Sequence, residues 1–152
     1  MKTPRFILLA LATLVPFLMA SGPDRPTFGG GGTFVAFDVM VNSSAPLAAY
    51  QVDIQVAKGV TIVGIEGGES AAFNAAPAYD PEAMEQERVI LAAFSLNTAA
   101  NLPSGNTRIA RIHVVGSPNM SLPTISLSVA ADSAGNKLAA TASIAPSKEL
   151  EQ

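Results

Sequence analysis

Cysteine and tryptophan are absent from the 152 residues, and histidine occurs once. Without Cys there is no disulfide framework, zinc ribbon or thiol nucleophile. A single imidazole, His113, excludes a histidine metal cluster and a His–His relay. Charge is also scarce, with 14% Asp, Glu, Lys and Arg against 49% hydrophobic residues. A disordered chain needs the reverse balance. The formal net charge is −3. Without Lys2 and Arg5 the nine basic residues become seven against twelve acidic, a net charge of −5. Nothing in that balance attracts nucleic acid or an anionic membrane surface.

What is present begins with a leader. Lys2 and Arg5 form a positive start, and Phe6 to Ala20 is apolar apart from Thr13 and Pro16. That run is short of the ~20 residues a spanning helix needs, and Pro16 would kink such a helix. It matches the apolar region of a signal peptide over residues 1–20, with Ala20 as the small residue before cleavage. The implied location is secreted, extracellular or periplasmic; an uncleaved N-terminal anchor is the alternative. Residues 21–32 form a Pro- and Gly-rich linker ending in Gly29 to Gly32, which precedes a strand pattern and so reads as a hinge, not a phosphate loop.

From Thr33 the apolar period is two. Val35, Phe37, Val39 and Val41 share one face, and Tyr50, Val52 and Ile54 share the next, opposite Gln51, Asp53 and Gln55. Lys58-Gly59 turns the chain into Val60 to Ile65, which Gly67-Gly68 closes. Residues 69–87 form an excursion with one short helical turn, where Asp80 caps, Pro81 takes the first position and Glu82 faces the positive dipole end. Val89 to Leu96 is apolar on both faces. Ala110, Ile112 and Val114 point inward, with Arg111 and His113 outward. Ile125, Leu127 and Val129 then alternate with Thr124, Ser126 and Ser128, and Asp132 to Asn136 makes a hairpin loop before Leu138 to Ile144. About seven strands separated by turn signals, without a long helix after the leader, predict an all-β antiparallel sandwich of about 7–9 strands, jelly-roll or immunoglobulin-like. The domain runs over 33–145, and 146–152 is a polar tail.

Three stretches resemble the cohesin-type domain, a relative of cellulose-binding sandwich modules. They are Phe34 to Val56 with its Pro-containing turn, Val60 to Glu69 with its glycine exit, and Ser104-Gly105 followed by Ile109 to Gly116. Asp132 to Leu138 resembles the family's late hairpin. The order of these motifs carries the resemblance. Two departures stand beside it: only Pro26-Thr27-Phe28 is available for the family's first strand, and Ala57-Lys58-Gly59 replaces its usual Asp-Pro turn. The resemblance implies a non-catalytic receptor for a protein partner, dockerin-like or in the cell envelope. It also implies that the strand of Gln51, Asp53 and Gln55 lies between those of Val89 to Leu96 and Thr124 to Val129.

On that arrangement the candidate partner face shows Gln51, Asp53, Gln55, Ser126 and Ser128, flanked either by Val89, Leu91, Ala93 and Ser95 or by their alternates. Such a mixture of apolar and short polar side chains suits a partner surface. The alternative is a carbohydrate-binding sandwich acting on cell-wall or extracellular polysaccharide. It has few aromatic platforms: Phe37 and Phe94 are read as inward, leaving Tyr79, Phe73 and Phe34 for display. No catalytic residue is assigned. His113 has no nucleophile elbow near it, and Glu82, Glu85 and Glu87 read as a solvated acidic face. No cofactor or metal site is assigned. Calcium would draw on Asp132 and Asn136, or on Asp80, Glu82 and Glu85, but both have the composition of ordinary turns.

Overall fold

Alternation of small apolar and polar residues folds the chain into two facing antiparallel sheets, described in a computed structural model over residues 32–148. Seven strands follow in order: β1 (Thr33–Ser43), β2 (Ala49–Gln55), β3 (Thr61–Gly67), β4 (Arg88–Phe94), β5 (Gly105–Gly116), β6 (Thr124–Ala131) and β7 (Ala140–Pro146). One sheet has the order β3-β5-β1-β7, the other β4-β2-β6. This is the expected all-β sandwich, and β2 lies between β4 and β6. The expected leader, the linker up to residue 31 and the tail from residue 149 lie outside the described residues.

The core forms where the inner faces meet. Val39, Val41, Val52, Ile54, Val89, Leu91, Ile112 and Val114 are fully shielded from solvent. Each such aliphatic side chain contributes on the order of 1.5–3 kcal/mol through burial, which is how a chain without cysteine holds a sandwich. Tyr50 crosses this layer: its ring meets Phe73 edge-on at 5.1 Å, and its hydroxyl donates to the Ile109 carbonyl at 3.1 Å. Burial pushes its phenol well above the usual tyrosine range.

The excursion between β3 and β4 starts where backbones crowd. A side chain at Gly67 would run into the Asn74 and Ala75 carbonyl oxygens, and one at Gly68 into the Arg108 carbonyl. Phe73 then drops into the core, 2% exposed, correcting the expectation that it is displayed. A hydrophobic ring on a loop is best placed by burying it against Tyr50. The chain continues along the edge of β4, where Ala78 and Ala92 exchange both backbone hydrogen bonds. It closes in a 3-10 helix at Pro81–Gln86, whose first turn is capped as expected: Asp80 Oδ1 accepts from the Glu82 amide at 3.0 Å. Glu87 follows in the left-handed region, φ 60°, with its carboxylate accepting from the Gly59 amide at 2.6 Å.

Strand parity shifts at a bulge in β6. Gln51 faces Val129 and Val52 faces Leu127, so Ser128 is the extra residue. Ile125 and Leu127 pack inward as expected, but Val129 turns outward, 43% exposed, and Ala130 takes the inner position at 5%. The polar tail is tied down at its start: Pro146 ends β7, and the Ser147 amide donates to the Ala36 carbonyl at 2.8 Å.

Candidate functional site

The two outer faces of the sandwich differ in how their side chains are occupied. On the β3-β5-β1-β7 sheet they pair with one another. Arg111 Nε donates to Asp38 Oδ1 at 2.7 Å, and His113 Nε2 lies 2.8 Å from Glu66 Oε1. The His113 ring stacks on Phe34 at 5.4 Å. His113 therefore points out of the core, as its strand position predicts, but its side chain is only 16% exposed and it has a carboxylate partner. With Nε2 directed at Glu66, Nδ1 is buried without a hydrogen-bond partner. Its neighbours include Glu66, Phe34 and Gly64.

The outer face of β4-β2-β6 is built differently. The register sets Arg88, Ile90, Ala92 and Phe94 beside Gln55, Asp53, Gln51 and Ala49, and sets Thr124, Ser126, Val129 and Ala131 on the other side of the same four. Of the two options left open for β4, the alternates face out. Val89 and Leu91 are in the core, whereas Ile90 is 40% and Phe94 74% exposed. The reading of Phe94 as inward is thereby corrected. It shares parity with Ile90, and its neighbour across the ladder, Ala49, also sits on the outer face.

Four of the five sequence-derived face residues, Gln51, Asp53, Gln55 and Ser126, lie on this one surface in register. Ser128 is exposed on the bulge and faces no β2 residue. At the centre Arg88 forks onto Asp53: Nε reaches Oδ1 at 3.0 Å and Nη2 reaches Oδ2 at 2.5 Å. The pair is diagonal, since Arg88 stands opposite Gln55. Hydrogen bonding and charge from Arg88 hold the Asp53 carboxyl below the usual aspartate range and raise the guanidinium. Beside the pair lies a shallow hollow of about 400 Å³ lined by Asp53, Gln55, Arg88, Thr124, Ile125 and Ser126.

Strand alternation alone does not find Arg88, Ile90, Phe94 or Val129. A strand apolar on both faces carries no parity signal, and Val129 has the alternation of a core residue until the bulge displaces it. In the loop of Asp132 and Asn136 the carboxylate is already engaged. Asp132 Oδ1 accepts from the Ala134 and Asn136 amides at 2.9 and 2.8 Å, and Oδ2 accepts from Asn136 Nδ2 at 3.0 Å. Among the described residues no three His, Asp or Glu side chains are grouped to hold a metal ion. No helix among them is long and apolar enough to cross a membrane.

No family model, curated protein or solved structure matches this chain. Over the described residues the fold is a seven-stranded antiparallel β-sandwich with one mixed apolar and polar outer face. The cohesin resemblance rests on its sequence motifs alone.

Proposed function

We propose that this chain is an exported, non-catalytic binding module that takes a protein partner, dockerin-like or of the cell envelope, on the outer face of β4-β2-β6. One observation carries the reading. Ile90, Phe94 and Val129 stand exposed on the same sheet face as the Asp53–Arg88 fork and the short polar side chains of Gln51, Gln55 and Ser126. Exposed apolar area grouped around a few fixed polar groups is the composition of a partner surface, in which the apolar side chains supply affinity and the ion pair sets register.

The second reading is a carbohydrate-binding module for cell-wall or extracellular polysaccharide, and the polar hollow beside Asp53 favours it. The aromatic rings support it little: of the exposed rings described, Phe94 alone stands on this face, while Phe34 belongs to the other sheet and Tyr79 to the segment along the β4 edge. Capture from the native secretome, run beside a glycan array with wild type, Ile90→Asp and Asp53→Ala, tests both. The protein reading expects one captured species, lost with Ile90→Asp and weakened by more than about 1 kcal/mol with Asp53→Ala, as at the centre of an interface. Glycan binding without any captured protein overturns it.

A further inference from the structure

Antiparallel pairing gives the sandwich two poles. At one, Thr33 meets Gly116 and Gln55 meets Arg88 and Thr124. At the other, Ser43 meets Gly105 and Ala49 meets Phe94 and Ala131. The second pole carries an apolar groove of about 540 Å³ between the strap of the excursion and β4. Ala75, Ala76 and Pro77 form one wall, Ala92 and Phe94 the other, and Phe73 the floor. None of its lining residues is charged. On the rim, Phe94 is 74% exposed, and Leu96, two residues further on, 92%.

We infer that this corner pairs two copies of the chain about a twofold axis, the Phe94–Leu96 corner of each entering the alanine-lined groove of the other. Projection and recess lie on one surface, which is what an isologous contact requires: each copy offers both halves. The charge pattern agrees. A partner bringing Lys or Glu to a groove of Ala, Pro and Phe would leave that charge unpaired, whereas Phe94-Ser95-Leu96-Asn97 brings none. The first and last described residues lie toward the first pole, with Gly32 beside Gly116 and the Ser147 amide bonded to Ala36.

The area sets the strength. Burying most of Phe94 removes on the order of 150 Å². With Leu96 and the covered walls the contact falls at the small end of specific interfaces, roughly 1,200 Å² over both copies, so the dimer is a weak one that forms only at high protein concentration. The contact shares Phe94 with the rim of the proposed partner face but uses none of Asp53, Ile90 and Val129 at its centre, so Ile90→Asp leaves the dimer intact.

Sedimentation equilibrium of the full chain tests it, with Phe94→Lys, with Ala76→Asp, and with the two variants mixed in equal amounts. Both positions are exposed, so both variants keep the wild-type melting temperature. Each alone dimerises at least about tenfold more weakly than wild type. The mixture recovers dimer, because Lys at 94 meets Asp at 76 while the other Phe94 enters a groove that keeps its alanine wall. A wild type that stays monomeric to about 1 mM overturns the inference, including the case in which residues 1–31 fill the groove. So does a dimer that persists in both variants, or a mixture no stronger than its components.

Discussion

The Tyr50 hydroxyl donates to the Ile109 carbonyl at 3.1 Å, joining β2 of one sheet to β5 of the other through the middle of the core. Ile109 lies where the register of β1 and β5 shifts, between the pairs Val39–Ala110 and Met40–Arg108. Its carbonyl is therefore freed from the β1 ladder and takes a side-chain donor instead. Tyr50→Phe keeps the ring against Phe73 and removes only that donor. It should cost about 1–2 kcal/mol in urea unfolding, and Tyr50→Ala about 3–5 kcal/mol. An unchanged midpoint for Tyr50→Phe would mean that the carbonyl finds water or another donor.

The bulge in β6 gives a test of parity. Simple alternation places Val129 inside and Ala130 outside; the structure places them the other way. Val129→Asp should fold with a stability change within about 0.5 kcal/mol, while Ala130→Asp should lose on the order of 3 kcal/mol or more by burying an unpaired carboxylate. Circular dichroism melts of the two decide it. The reverse ranking would restore an unbulged strand and return Val129 to the core.

The Asp53–Arg88 fork predicts a pH dependence of definite sign. The folded-state pKa of Asp53 is lowered by the hydrogen bond and charge of Arg88. The stabilisation it provides is therefore complete above the unfolded value of about 3.9 and disappears as pH falls through the lower folded value. Wild type and Asp53→Asn should differ in Tm by a constant amount, at most about 3 °C, at neutral and mildly acidic pH, and should converge as the pH falls through the lowered folded value. Asp132, held low chiefly by Asn136, adds to the acid loss in the same direction and is common to both proteins. Curves that diverge on acidification would show that Arg88 is not the partner that matters.

His113 is held by Glu66 and Phe34, with Gly64 leaving room for its ring. His113→Ala should fold, should melt lower because the stacked ring and its hydrogen bond are lost, and should leave partner capture on the opposite sheet unchanged. A hydrolase activity present in wild type and absent in a folded His113→Ala variant would overturn the non-catalytic reading.

Much of the sandwich is written in local pattern. Tyr50, Val52 and Ile54 alternate with Gln51, Asp53 and Gln55, and a β2 pleat can bury only one of those rows, so the outward-facing residues of β2 follow from solvation alone. Asp80-Pro81 and the Asp132 to Asn136 loop carry their own side-chain hydrogen bonds, so turn chemistry names them without any knowledge of neighbours. The sequence by itself determined the strand class, the turns and which side of β2 meets water. Tertiary structure decided the rest. Val89 to Leu96 is apolar in both registers, so only pairing with β2 sends Val89 and Leu91 inward and Ile90 and Phe94 outward. The one-residue bulge that turns Val129 outward exists only against Gln51 and Val52. Phe73 could be classed as buried only once Tyr50 was beside it, and Arg88 became Asp53's partner only through a diagonal contact between strands 35 residues apart in sequence. Alternation reports which residues share a face; it carries no information on which strands adjoin or in what register, because those are set by the packing of one whole sheet on the other.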